Sequence, residues 1–259
     1  MALSIDGTPV IGSSSTSAVT TGSFTNPSTN DIIVVVVGTL LHQNASYPTA
    51  PTVSTVTSSP ALTWHLRKAT GSKQVGTSGS NFYSADLETW WAYQPSATSQ
   101  TVTVTLTGTP DAGGNKVLVF AVNGANTVSP WDANVSLPAS GSSTTSSTAS
   151  AGPISTTNAT CMLLGFLIGP AISQGNPGAG YTSVKSGGST PDAQYQTVSS
   201  TQSSISVAFT HSETAFAFGW NMLADAIQAA APALPGFFED TEAIRFVNTR
   251  RNRARSIPL

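Results

Sequence analysis

Two carboxylates, Asp86 and Glu88, stand two residues apart in the aromatic stretch 81–93. On a strand this spacing puts both on one face, about 7 Å apart. In that arrangement one carboxylic acid can protonate a leaving group while the other attacks a glycosidic carbon or activates water. A sandwich-borne hydrolase of this kind needs a third acid a few residues on, and Trp90 and Ala92 occupy that face instead. The pair therefore reads as acids facing solvent or bonding a loop, with glycan hydrolysis through Asp86 and Glu88 as a third-ranked alternative. The histidines His42, His65 and His211 are scattered. His65 alternates with Trp64 and points away from the core. There is no His-x-x-x-His pair, no Gly-x-Ser-x-Gly elbow and no phosphate-binding glycine loop. The expectation is a protein that is not an enzyme, with no catalytic residue, no cofactor and no metal.

Recognition chemistry has two candidates. Trp90 and Trp91 are adjacent, so on a strand they point to opposite faces. One goes to the core. The other, taken as Trp90, together with Trp131 in the loop after Pro130, could offer flat faces to a glycan. Filling the sandwich or a subunit interface is the plainer use of such rings.

The second candidate is the segment 236–259. It holds five of the ten basic residues, Arg245, Arg250, Arg251, Arg253 and Arg255, behind the acids Glu239, Asp240 and Glu242. Phe237, Phe238, Ile244, Phe246 and Val247 are costly to leave in water. The segment reads as an arm that lies on another subunit, its Arg forks pairing with acidic groups. The nearby acids weigh against nucleic acid as the partner of the Arg cluster.

The elements that would carry these groups are strands. The run 31–41, Asp-Ile-Ile-Val-Val-Val-Val-Gly-Thr-Leu-Leu, is the densest β-branched stretch. Six apolar residues without alternation predict a strand covered on both faces. Strands are also expected at 3–11, 61–69, 81–93, 101–106, 116–122, 158–168, 181–185, 192–198, 204–209 and 215–223. In 101–106, Val102, Val104 and Leu106 alternate with Thr and face inward. The stretch 71–80 reads as a Gly/Ser loop, 142–150 as a weak edge strand, and 224–231 as one or two helical turns.

Five segments of the second half echo the first in the same order: 158–168 matches 30–41, 181–185 matches 64–68, 192–198 matches 88–93, 204–209 matches 101–106 and 215–223 matches 117–122. This suggests a pseudo-repeat of roughly a hundred residues. The expected fold is all-β, an antiparallel β-sandwich or jelly roll of two pseudo-repeated halves over 1–226, with linker and extended C-terminal arm at 227–259.

Composition agrees. The chain has 259 residues, 39% hydrophobic and only 8% charged, with a formal net charge of −2. A typical globular protein has roughly 25% charged residues, so Ser, Thr, Asn and Gln must make this surface. The charge gives no case for whole-chain nucleic-acid binding. The one cysteine, Cys161, sits in an apolar run and reads as a small buried hydrophobe. The first residues carry no basic or apolar leader, and no run suits a membrane helix. Assembly in a cytoplasm, without membrane contact, is expected. The sequons at Asn44, Asn134 and Asn158 are then chance matches.

In their style of strands, residues 30–37, the Trp90-Trp91-Ala92-Tyr93 strand, 99–107 and 116–124 resemble sandwich domains of tailed-bacteriophage structural proteins: head decoration proteins, head fibres and tail adhesins. The resemblance implies a virion protein, a homo-oligomer displayed on the particle and bound to capsid or tail subunits by the arm. It brings no catalytic residues with it. A carbohydrate-binding adhesin recognising host glycans is the alternative.

Overall fold

The computed structural model describes residues 2–111, 114–145, 148–170, 175–185, 191–211 and 219–231. Among them there are strands and no helix. The chain makes two jelly rolls, one after the other, whose larger sheets stand back to back.

The first half contributes β1 (Ser4–Ser14), β2 (Ala18–Thr20), β3 (Phe24–Asn26), β4 (Asp31–Asn44), β5 (Val53–Ser59), β6 (His65–Ala69), β7 (Lys73–Ser78), β8 (Asn81–Gln94), β9 (Thr98–Leu106) and β10 (Asn115–Asn123). Its inner sheet runs β1-β10-β4-β8-β6, with β7 also on β8, and its outer sheet sets β2, β3 and β5 along β9. The second half contributes β11 (Ala139–Ser143), β12 (Thr148–Ile154), β13 (Cys161–Ile168), β14 (Gly175–Pro177), β15 (Thr182–Ser183), β16 (Asp192–Val198), β17 (Ile205–His211) and β18 (Trp220–Gln228). Its inner sheet is β11-β18-β13-β16-β15 and its outer sheet β12-β17-β14.

The two orders are the same. In each half the first strand lies beside the last, the last beside the long apolar strand, and that strand beside the aromatic one, while the second and second-last strands pair in the outer sheet. The echoed segments fall on equivalent strands: β4 and β13, β6 and β15, β8 and β16, β9 and β17, and, for 220–223, β10 and β18, while 215–218 lie outside the described residues.

The stack therefore has four layers and three cores. A central core lies between the inner sheets, joining Ile32, Val34 and Val36 of β4 and Phe120 of β10 to Leu164 and Phe166 of β13. The odd-numbered face of β4, Ile33, Val35 and Val37, packs instead on Phe24, Val102 and Val104 of the outer sheet. In the second half Leu163 and Leu167 face Val207 and Phe209 likewise. This explains the sequence pattern physically. Strands of the inner sheets meet apolar layers on both sides, so β4, β10 and β13 are continuous apolar runs. Strand β9 belongs to an outer sheet, and its Thr residues take the wet face while Val102, Val104 and Leu106 are buried.

Three local expectations are corrected. Residues 224–228 continue strand β18 and pair with β13, rather than forming a helix. Ala224 and Ala226 are fully buried between two sheets, and that packing overrides alanine's preference for helix. The 71–80 loop contains β7, which pairs with β8 around a turn where Gly79 has φ +58°. The stretch 142–150 does lie at sheet edges, but as the end of β11 and the start of β12, edge strands of two different sheets, rather than as one strand. The chain also stays in the fold beyond 226, since Ala229 bridges Ala125.

Polar clamps lock the halves. Asn221 Nδ2 donates to Thr70 Oγ1 at 2.7 Å and to the Ala85 carbonyl at 3.3 Å. Gly219 N donates to the Val75 carbonyl at 2.9 Å. Strands β4 and β13 approach so closely that a Cβ on Gly38 would collide with Ile168 Cδ1.

Candidate functional site

The acid pair is sealed. Asp86 is 1% exposed and Glu88 4%. Asp86 Oδ1 accepts from Thr70 Oγ1 and from the Leu87 amide, both at 2.9 Å. Glu88 Oε1 accepts from the Val53 amide at 2.7 Å and Oε2 from Trp90 Nε1 at 2.9 Å. Of the two readings of this pair, bonding a loop is the one realised, and facing solvent is corrected. Glu88 fastens the start of β5 to β8. Burial, with the neighbouring Asp86 charge adding to it, pushes the Glu88 carboxyl up to about 7. Two carboxyls closed in between sheets have no room to flank a glycosidic bond.

Of the two tryptophans chosen from the sequence, Trp90 is half-buried and Trp131 is buried. Trp90 packs between the inner and outer sheets of the first half, its indole N–H spent on Glu88. Trp131 is 7% exposed, bridges Ile227 through its backbone, and lies under the guanidinium of Arg67 at 5.1 Å. A loop position suggested exposure, but the loop folds into the seam between the halves. The arm residues Phe237, Phe238, Ile244, Arg245, Phe246, Arg250, Arg251, Arg253 and Arg255 lie outside the described residues.

The opposite face of β8 carries the cleft. Trp91 and Tyr93 stand two residues apart and point to the same side, and β6 pairs His65 with Trp91. The imidazole of His65 lies on the indole at 4.8 Å between ring centroids, tilted by 30°. Tyr93 is 38% exposed. Its hydroxyl donates to Asn30 Oδ1 at 2.6 Å, which pins the ring. Asn30 is held in turn: its amide donates to the Pro95 carbonyl at 3.3 Å, and its φ is +62° in the turn before β4. Asn tolerates this left-handed conformation better than most residues.

These rings floor a cleft of about 450 Å³. One wall is Leu62 and Thr63 from the β5–β6 loop. The other is Pro95 and Thr127, the latter from the segment joining the two jelly rolls. Beside it, across Asn30 and sharing Thr127, is a second recess of about 350 Å³. That one is lined by amides and hydroxyls, among them Ser28, Thr29, Asn30 and Asn123, and closed by Ala230.

A buried network holds the 26–31 turn that walls the second recess. Asp31 accepts from Asn26 Nδ2 at 3.0 Å and from Asn123 Nδ2 at 2.8 Å, and Asp6 Oδ2 accepts from the Ser28 amide at 2.9 Å. Burial raises the Asp31 carboxyl above its ordinary range.

No protein-family model, curated protein or solved structure matches this chain. The cleft must be read from its own chemistry.

Sequence reasoning missed it while holding the signal for it. The two-residue spacing of Trp91 and Tyr93 puts them on one face, and His65 was placed away from the core. What was lacking was the pairing of β6 with β8.

Asp132, Cys161 and His42 make contacts within the fold. Asp132 is buried, and burial alone would raise it. Backbone amides of Thr157, Asn158 and Asn134 outweigh that and hold it down at about 2. Cys161 is fully buried, and burial pushes its thiol up to about 12, with the nearby Asp132 charge adding to the effect. His42 Nδ1 contacts Asp111 Oδ2 at 2.6 Å at a strand end. Among the described residues no cluster of three His, Cys, Asp or Glu side chains is placed to hold a metal.

Proposed function

We propose that this chain is a non-enzymatic structural protein of a bacteriophage particle, displayed at its surface and held to capsid or tail subunits by the C-terminal segment 236–259. The observation that carries the reading is the fixed point from which that segment leaves. The Ala230 amide donates to the Gly124 carbonyl at 2.8 Å, in the seam where both jelly rolls meet. A block of four fused layers gives a firm display body, and an aromatic and Arg-rich segment gives it a grip. In the sequence, Pro232 and Pro235 stand between that point and the segment.

Supporting features are the charge-poor Ser/Thr surface and the jelly-roll order, which capsid and lectin domains also use. The Arg residues 250, 251, 253 and 255 would pair with acids on a neighbouring subunit, and Phe237, Phe238, Ile244 and Phe246 would bury against it. Each apolar anchor contributes on the order of 1–3 kcal/mol before the cost of ordering the chain.

The test is removal of residues 236–259. The truncated chain should stay folded and soluble, and should no longer appear on particles imaged by electron microscopy. Full occupancy by the truncated chain would refute the anchor.

A further inference from the structure

We propose that the Trp91–Tyr93–His65 cleft, continued by the Asn30–Asn123 recess, binds a neutral oligosaccharide. The proposal is independent of how the chain is anchored.

Three features select this class of ligand. The first is the floor. Pyranose rings present C–H-bearing faces that stack on flat aromatic rings, whose faces are electron-rich. Tyr93 is open to solvent yet fixed at its hydroxyl by Asn30, so its face is held ready rather than ordered on binding. Trp91, on which His65 of the neighbouring strand stacks, lines the cleft beside it.

The second feature is the lining. Among the described residues no Asp, Glu, Lys or Arg lines either recess. The acids behind the 26–31 turn, Asp6 and Asp31, are spent on Ser28, Asn26 and Asn123, so an anionic ligand would find no Lys or Arg to pair with, and a cation no carboxylate in the lining. What the recesses offer are hydroxyls of Thr63, Thr127, Ser28 and Thr29, the Nδ2 of Asn30, whose Oδ1 holds Tyr93, and the Oδ1 of Asn123, whose Nδ2 holds Asp31. These are donors and acceptors suited to sugar hydroxyls.

The third feature is the shape. An aromatic recess of about 450 Å³ adjoins a mixed one of about 350 Å³, in which Ala125 and Ala230 stand among the hydroxyls and amides. Each is within the roughly 300–1,000 Å³ of small-ligand sites. Their sequence, stacking surface followed by hydrogen-bonding surface, fits a chain of sugar units longer than one.

The test uses the full chain, labelled with nitrogen-15. It is titrated with neutral gluco-, manno- and galacto-configured trisaccharides, their monosaccharides, and a sialylated trisaccharide. The expected result is saturable movement of the amide signals of His65, Tyr93 and Thr127 with at least one neutral trisaccharide. That trisaccharide should bind about tenfold or more tightly than its monosaccharide, because the second recess adds contacts. The sialylated compound should gain nothing over it.

Tyr93→Ala should weaken binding about tenfold or more. Tyr93→Phe keeps the ring and loses only the tie to Asn30, so it should bind more tightly than Tyr93→Ala. Tyr47→Ala, remote from the cleft, should leave binding unchanged. The proposal fails if no neutral saccharide moves these signals at about 10 mM, weaker than the millimolar end of useful affinities. It fails equally if the sialylated compound is preferred, or if a folded Tyr93→Ala binds as the wild type does. Movement of the same signals with protein concentration alone would replace the sugar by a second copy of this chain.

Discussion

Arg67 of β6 donates through Nε and one Nη to both carboxylate oxygens of Asp225 of β18, at 2.8 and 3.1 Å. The two residues come from different jelly rolls, and Asp225 is 1% exposed. Burial raises the Asp225 carboxyl, while the guanidinium works against it. The same guanidinium covers Trp131, so one side chain seals the seam both electrostatically and by packing.

Removing one partner should therefore cost more than removing both. Arg67→Met leaves a buried carboxylate alone and should lower stability by about 3–5 kcal/mol. The double variant Arg67→Met with Asp225→Leu should recover most of that loss. Chemical denaturation of the four members of the cycle measures it. A double variant whose loss equals the sum of the two single losses would mean that the pair is not coupled and does not hold the halves together.

Close approach of the inner sheets should appear as coupling between Gly38 and Ile168. Gly38→Ala puts a methyl against Ile168 Cδ1 and should destabilise by about 1–3 kcal/mol through overpacking. Ile168→Val removes that carbon. In its background Gly38→Ala should cost distinctly less. Thermal unfolding of both single variants and the double variant reads the difference.

Stability should depend on pH with two opposite signs. The Glu88 carboxyl rises from its ordinary 4.5 to about 7 in the fold. The folded state holds that proton more tightly than the unfolded chain does. Its contribution is complete below about pH 4.5 and is lost as pH rises through about 7, on the order of 3 kcal/mol. Glu88→Gln should flatten the stability profile in that window. Asp132 is lowered from 3.8 to about 2, so its contribution is present above about pH 4 and disappears as pH falls through 2. Asp132→Asn should weaken the fold at pH 7, and the gap from wild type should close toward pH 2. Denaturant midpoints from pH 2 to 8 test both slopes.

Cys161 should be inert in the folded protein. It is fully buried with its thiol at about 12, so almost no thiolate exists at pH 8. A disulfide reagent should label no thiol in native protein and one in denaturant. Rapid native labelling would mean that the β13 layer opens readily.

Much of the fold was written in local pattern. Continuous apolar runs at β4, β10 and β13 marked strands covered on both faces, and the Thr/Val alternation of β9 marked a strand with one wet face. Both follow from the two-residue period of a strand and from what lies above and below it. The matching order of five segments likewise predicted the repeated topology. What failed locally were segments whose fate depends on distant partners. The alanines at 224–226 became strand because two sheets close on them. Trp131, in a loop, was drawn under Arg67 of the other half. Asp86 and Glu88 were closed in by β5 and the Thr70 turn. The cleft is the clearest case. Trp91 and Tyr93 share a face by sequence alone, but His65, Asn30 and Thr127 join them only through strand pairing and the docking of two jelly rolls. Those are non-local contacts, set by which sheet packs on which, and no window of sequence contains them.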